Sequence, residues 1–262
     1  MNTVTVDELR RAWGAVSNGQ FQDAAAPGVV DRAWNPNGQV IAVIGVGGRV
    51  GATTISLAIA ESAPTTARVV EVGTPHSWGL AAAANAELGD AGSWRHGMRE
   101  AVRIERPITA ALAADQASPP AATSCDVTVL DLGWDLSQIK GAGGWMAAAF
   151  ACAELVLVAA PTVPGMRSLE LTLAELNVTQ HAWCALIGSP KKKWPRRVQL
   201  AAPTGLEAIA SNGRLICVPP DRSLAIEGIT TSPLPTAVLS ACHIITSEVA
   251  QHPKGIHHVA TN

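Results

Sequence analysis

The segment from Gln39 to Ala63 limits what this chain can fold into more than any other. It reads QVIAVIGV, then a glycine-rich turn, then TTISLAIAESA. The first part is a continuous apolar, β-branched run, the pattern of a strand covered on both faces. The last part has helical composition. The turn between them, GVGGRVGATT, runs from Gly45 to Thr54. Glycines let a backbone turn its N–H groups inward without a Cβ clash. Those N–H groups, with the helix N-terminus behind them, make an anion site. Thr53 stands where the hydroxyl of a phosphate-binding loop would hold Mg²⁺.

Beyond the turn, strand and helix patterns alternate. Strand patterns cover residues 39–46, 67–73, 126–133, 154–161, 182–189 and 214–220. Helical patterns cover 53–63, 144–153, 165–176, 204–211 and 235–251, and residues 79–115 are read as mostly helical, interrupted by Gly89–Gly92 and Pro107. This order predicts an α/β domain, doubly wound around a mainly parallel sheet, with right-handed crossovers. The domain is expected over 38–251. Ahead of it come a helix over 6–16 and a linker over 17–37 rich in Gly, Ala, Asn and Pro; behind it comes a tail over 252–262.

Composition narrows the setting. Charged residues make up 15% of the chain, below the ~25% of ordinary soluble domains, which argues for a large buried fraction or for surfaces covered by a partner. A formal net charge of -2 argues against a strongly basic nucleic-acid binder overall. The five cysteines are odd in number and widely spaced, so a disulfide framework or zinc site is not expected and a reducing cytoplasm fits best. No apolar run reaches the ~18 residues that span a bilayer. One local charge cluster stands out: Lys191, Lys192, Lys193, Arg196 and Arg197, with Trp194 inside it. These cations could contact phosphates without reading sequence, and the indole could stack on a base; anionic lipid or an exposed loop remain alternatives.

The turn and several later segments resemble, in order and spacing, the ParA/MinD family of ATPases, whose loop reads roughly K-G-G-x-G-K-T-T. Gly51, Thr53 and Thr54 match in register, and Gly47 and Gly48 match with a one-residue offset. Both family lysines are missing. Ala52 stands at one of them, and Val46 replaces the first glycine of the general G-x-x-x-x-G-K-[ST] pattern. The loop is similar to those of family members with a degenerate phosphate loop, such as the pilus-localising TadZ/CpaE group. VVEVGTPHSWGL (69–80) resembles the segment with the family's two acidic positions: Glu71 takes the first and Gly73 the second. CDVTVLDLGWD (125–135) resembles the Walker B strand, with Asp131 at its end; LICVPPDRSLAIEGITTSPLP (215–235) resembles the late segment in which Pro219, Pro220 and Asp221 form a loop near adenine.

The resemblance implies ATP and Mg²⁺ as cofactors, held by Gly47, Gly48, Arg49, Val50, Gly51, Ala52, Thr53, Thr54, Asp131, Pro219 and Asp221, with Thr53 and Asp131 on the metal. Arg49 could supply the missing positive charge. Phosphoryl transfer depends on positioning and on charge stabilisation, so the lost lysines and the lost acidic residue imply weak binding and slow or absent ATPase activity. The implied role is a positioning or regulatory protein, a homodimer, in plasmid partition, conjugative transfer or pilus localisation, with Trp13 of the N-terminal helix as a candidate anchor for a protein partner. Two alternatives stay open. GVGGRVG nearly follows the dinucleotide fingerprint, with Glu71 about 20 residues later for a ribose, which would make the chain an NAD(P)-binding oxidoreductase. The fold could also have become a nucleotide-free interaction scaffold.

Overall fold

In the computed structural model, residues 34, 36, 38–121, 123–176 and 182–251 are described. The predicted helix over 6–16 with Trp13, almost all of the linker and the tail lie outside them. The strands are β1 Gln39–Gly45, β2 Ala67–Gly73, β3 Ala86–Ala91, β4 Trp94–Arg99, β5 Val102–Pro107, β6 Val127–Gly133, β7 Glu154–Ala159, β8 Ala182–Ile187 and β9 Leu215–Val218. The α-helices are α1 Ala52–Glu61, α2 Leu136–Gly141, α3 Gly144–Cys152, α4 Val163–Leu176, α5 Arg196–Ala201, α6 Thr204–Ser211, α7 Arg222–Glu227 and α8 Thr236–Gln251.

All nine strands form one sheet in the order β3-β4-β5-β2-β6-β1-β7-β8-β9. Its pairings are parallel except β3 with β4 and β4 with β5. Alternate residues of each strand feed two separate cores. Ala42, Ile44, Val70, Val72, Leu130 and Leu132 pack with Met146 of α3 and Met166 and Leu169 of α4. Ile41, Val43, Val69, Val129 and Val156 pack with Ile55, Leu57 and Ile59 of α1 and Val238, Cys242 and Ile245 of α8. This is the doubly wound α/β architecture that the alternating patterns predict, and α8 covers the sheet.

The segment read as mostly helical over 79–115 is instead a β-meander. Two-residue turns drive the change. Gly92–Ser93 joins β3 to β4, with Gly92 at φ +61, and Glu100–Ala101 joins β4 to β5, with Glu100 at φ +49. Positive φ at a central turn residue matches the twist of paired strands. Cross-strand ion pairs hold the register: Arg95 with Asp90, and Arg106 with Glu87. In VRIERP the period-2 signal lies hidden, because the face opposite Val102 and Ile104, which carries Arg103, also carries a buried acid, Glu105.

That acid ties the meander to the parallel sheet. Arg68 of β2 is 1% exposed and donates from Nη1 to Glu105 Oε1 at 3.0 Å, with Glu105 fully buried. The same guanidinium reaches Thr128 Oγ1 of β6 at 3.0 Å and the Ala121 carbonyl at 2.8 Å. Removing one partner of a buried pair leaves an uncompensated charge, which costs about 3–5 kcal/mol, whereas replacing both by apolar groups is often close to neutral. Arg68→Met is therefore expected to lower the urea-unfolding free energy by about 3–5 kcal/mol, and the Arg68→Met/Glu105→Leu double variant to recover most of that loss. A double variant no better than the single would show that the pair is not the coupling element.

Candidate phosphate site

The site grows from the carboxyl end of β1. After Gly45 the chain turns through exposed Gly47, Gly48 and Arg49, then half-buried Val50 and Gly51, into α1. Gly51 has φ +88, a backbone conformation that L side chains rarely adopt, and a Cβ there would lie 2.5 Å from Ile187 Cδ1 of β8, two strands away. Nothing lies within 4 Å of a Cβ built on Gly48, which leaves that side of the loop open. Arg49 also sits in the left-handed region, at φ +57, a conformation uncommon for a non-glycine residue. The first intrahelical bond of α1 is Ile55 N–H to Gly51 O at 3.1 Å. The N–H groups of Ala52, Thr53 and Thr54 precede it and form the donor-rich end of the helix.

Two carboxylates stand beside this helix end, on neighbouring strands. Glu71 of β2 and Asp131 of β6 are register partners. Both are buried, at 2% and 4% exposure. Asp131 Oδ1 accepts from Ser56 Oγ of α1 at 3.0 Å. Burial pushes its pKa up to about 6, against the hydroxyls of Thr53 and Ser56, which favour the charged form. Glu71 Oε1 accepts from the backbone N–H groups of Gly79 and Leu80, the latter at 2.9 Å. Its pKa is pushed up to about 7 by burial, and further by the Asp131 charge, against the lowering effect of those N–H donors. Gly79 itself presses on Thr53: a Cβ at 79 would lie 2.9 Å from Thr53 Cγ2. The 74–80 segment thus links Glu71 to the first turn of α1.

The position of the second acidic residue in the resembled pattern is closed. Gly73 and Gly133 are register partners at the ends of β2 and β6. A Cβ on Gly73 would lie 2.3 Å from Ser77 Oγ, and one on Gly133 would lie 2.1 Å from the same atom. Ser77 is fixed there by donating to Thr74 O at 2.7 Å. The missing carboxylate is therefore built into the packing of this edge.

As a donor set, the unpaired N–H groups of residues 52–54 suit an anion, and the hard oxygens of Thr53 and Asp131 suit a divalent cation beside it. Ala52 contributes no charge, and Arg49 is the cation of the loop. Pro219, Pro220 and Asp221 follow β9, three strands from β1, or roughly 14 Å across the sheet. Asp221 caps α7, accepting from Leu224 N–H at 2.9 Å. The residues that sequence reasoning missed here are Ser56, Ser77 and Gly79. Ser56 had a signal, a polar residue in the middle of an apolar helix; Ser77 acts through its hydroxyl and Gly79 through closeness to Thr53, and neither has a sequence signature.

The basic cluster lies after β8, at the same carboxyl edge, with Lys192, Lys193, Arg196 and Arg197 exposed and Lys191 paired with Glu207. Trp194 departs from expectation. It is 4% exposed, belongs to the core, and donates from Nε1 to Ser189 O at 2.7 Å. Its indole is spent on anchoring the loop and offers no face to a base. The dinucleotide reading also meets an obstacle. In that fold the second parallel strand lies beside the first, whereas here β6 stands between β1 and β2, and the Glu71 carboxylate is taken up by Gly79 and Leu80.

Raised carboxyl pKa values fix the sign of the pH dependence. The folded protein holds its protons where the unfolded chain has lost them, so this contribution is fully present below about pH 4.5 and is lost as pH rises through about 7. A rise from 4.5 to about 7 for Glu71 corresponds to on the order of 3 kcal/mol. Urea midpoints measured from pH 5 to 8 are expected to fall for the wild type and to fall less steeply for Glu71→Gln. Parallel profiles for the two proteins would contradict the assignment.

No family model and no curated protein matches this chain. Solved structures do. A MinC:MinD cell division protein complex of Aquifex aeolicus matches with a TM-score of 0.53 at 12% identity, over 82% of this chain and 97% of that chain. A plasmid partition protein of Borrelia burgdorferi B31 bound to AMPPNP matches with a TM-score of 0.51 at 10% identity, over 82% and 99%. An ATP complex of a McdA variant from Cyanothece matches with a TM-score of 0.50 at 9% identity, over 84% and 99%. At these identities the likeness is one of fold, and it extends along nearly the whole length of each matched chain. The chain thus has a ParA/MinD-like fold, a P-loop NTPase-type α/β domain.

Proposed function

We propose that this chain is a positioning or regulatory protein of the ParA/MinD kind that binds Mg-ATP weakly and turns it over slowly or not at all. The observation that carries this reading is the contrast within one site. The loop keeps its glycine turn, its free N–H groups, Thr53 and Asp131, while Ala52 removes a charge and the Gly73–Ser77–Gly133 contact excludes a second acid. Groups that hold a triphosphate are kept; groups that stabilise charge during its transfer are gone.

In this reading the N–H groups of Gly47 to Thr54 cradle the phosphates, Arg49 faces them from the loop tip, and Thr53 and Asp131 take the cation. A bound triphosphate supplies negative charge that links the loop to neighbouring strand ends. Pro219 and Asp221 would border the base. Support for a switch comes from the 74–80 segment: it touches Thr53 through Gly79 and Glu71 through two N–H groups, so a change at Thr53 reaches it directly. Homodimerisation, a partner for the N-terminal extension, and non-specific DNA contact through Lys191, Lys192, Lys193, Arg196 and Arg197 belong to the same proposal. Among the described residues no helix is long and apolar enough to cross a membrane.

Calorimetric titration with Mg-ATP, with NADH as the control ligand, tests the reading. Saturable ATP binding is expected, weakened about tenfold or more in Asp131→Ala and Thr53→Ala, since a hydrogen bond or ion contact to a charged group is worth about 1.5–3 kcal/mol. Binding of NADH would favour the oxidoreductase alternative. Binding of neither, by a folded sample, would favour the nucleotide-free scaffold.

A further inference from the structure

Arg99, at the end of β4, is 2% exposed, and its guanidinium is held by acceptors from three separate segments. Nε donates to Glu61 Oε1, at the last residue of α1. Nη1 donates to Ala83 O at 2.9 Å and also to Thr230 O, and Nη2 donates to Ser232 O. The planar fork of an arginine suits such a junction, because its N–H donors keep fixed directions.

Two of the three segments start from one residue of the phosphate site. α1 carries Thr53 in its first turn and Glu61 at its end, and its ten residues form one rod of about 15 Å. The stretch 79–83 presses on Thr53 through Gly79 and reaches Arg99 through Ala83 O. That stretch is a tight turn, with Leu80 and Ala83 fully buried and Ala83 N–H donating to Leu80 O at 3.1 Å. Thr53 and Arg99 are therefore joined twice, and the two links make a frame with the phosphate site at one end and the guanidinium at the other.

The third segment lies outside this frame. Residues 228–235 connect α7 to α8 and are tied down by buried Ile229 and Leu234 and by the Arg99 bonds to Thr230 and Ser232. Thr231, Ser232 and Pro233 are exposed. The helix before them, α7, begins at its cap Asp221, the residue placed beside the base in the proposed function.

We propose that Arg99 is a positioning residue for the phosphate site, one that carries the state of the loop to residues 228–235 and through α7 to the base end. The inference rests on the phosphate-binding reading and adds how the two ends of that site communicate. An anion on the N–H groups of residues 52–54 fixes the first turn of α1. Close-packed elements pass that restraint along, so Glu61 and Ala83 O hold the guanidinium in place, and its remaining donors restrain Thr230 and Ser232.

Hydrogen exchange of the full chain, read by mass spectrometry with and without Mg-tripolyphosphate, tests this. The probe fills the phosphate loop and has no base with which to touch residues 219–235. In the wild type, exchange over 222–235 is expected to slow by about threefold or more when the probe binds, as local opening is suppressed. Arg99→Lys keeps a charge beside Glu61 and loses the fork that reaches the carbonyls. It should bind the probe within about threefold of the wild-type affinity by calorimetry, keep protection over 47–54 and lose it over 222–235. Glu61→Gln breaks the ion pair at the end of α1, leaves the carbonyl contacts in place and should also weaken the protection over 222–235; it keeps the test decisive should Arg99→Lys fail to fold. A purely structural Arg99 would leave the slowing caused by the probe unchanged in both variants, and that result would overturn the proposal. So would a wild type that binds the probe while residues 222–235 exchange as before. A wild type that fails to bind the probe would overturn the phosphate-binding reading itself, and this coupling with it.

Discussion

The carboxyl edge of the sheet is organised by the bond between Ser56 and Asp131, because it joins the helix that follows the loop to the strand beside it. It places a buried acid against the first turn of α1 with no lysine between them. Glu71 stands next to that acid on the adjoining strand and satisfies itself through Gly79 and Leu80. Burial raises both pKa values, and the Asp131 charge adds to the rise at Glu71. At the helix end itself, where Ala52 stands in place of a lysine, the loop brings no positive charge; its one cation is Arg49.

The glycine pair at the ends of β2 and β6 bears on the same point from the side of packing. Substituting Gly73 would not restore an acid to the second acidic position, since Ser77 fills the space a side chain would need. Loss of that acid and closure of its site go together. In the proposed reading, the edge keeps groups for binding and lacks groups for fast turnover.

How much of this was legible in sequence follows from where each signal resides. The continuous apolar runs of β1, β2, β6, β7 and β8 announced a parallel sheet, and the run-turn-helix at Gln39–Ala63 announced the loop. The meander did not announce itself. β3, AELGDA, is exposed along its whole length and thus lacks the apolar alternation that marks a strand, and β5 buries Glu105 on an ion pair with Arg68 that sequence cannot show. Trp194 was misread because a cluster of cations around it looked like a solvent-facing surface, whereas its indole faces the core. Asp131 was legible from its place at the end of a strand. Its partner Ser56 showed in sequence only as a polar residue within an apolar helix, and that the two meet is visible only in the fold.

The central claim is that the loop keeps a phosphate-binding geometry and has lost chiefly its charge. The most direct test puts the charge back: Mg-ATP affinity of Ala52→Lys compared with the wild type by calorimetry. An intact geometry predicts tighter binding by about tenfold to a hundredfold, the worth of one charge-assisted hydrogen bond, with Asp131 and Thr53 still required. An Ala52→Lys protein that folds normally and binds Mg-ATP no better than the wild type would show that the turn from Gly45 to Thr54 is not a phosphate loop in working form.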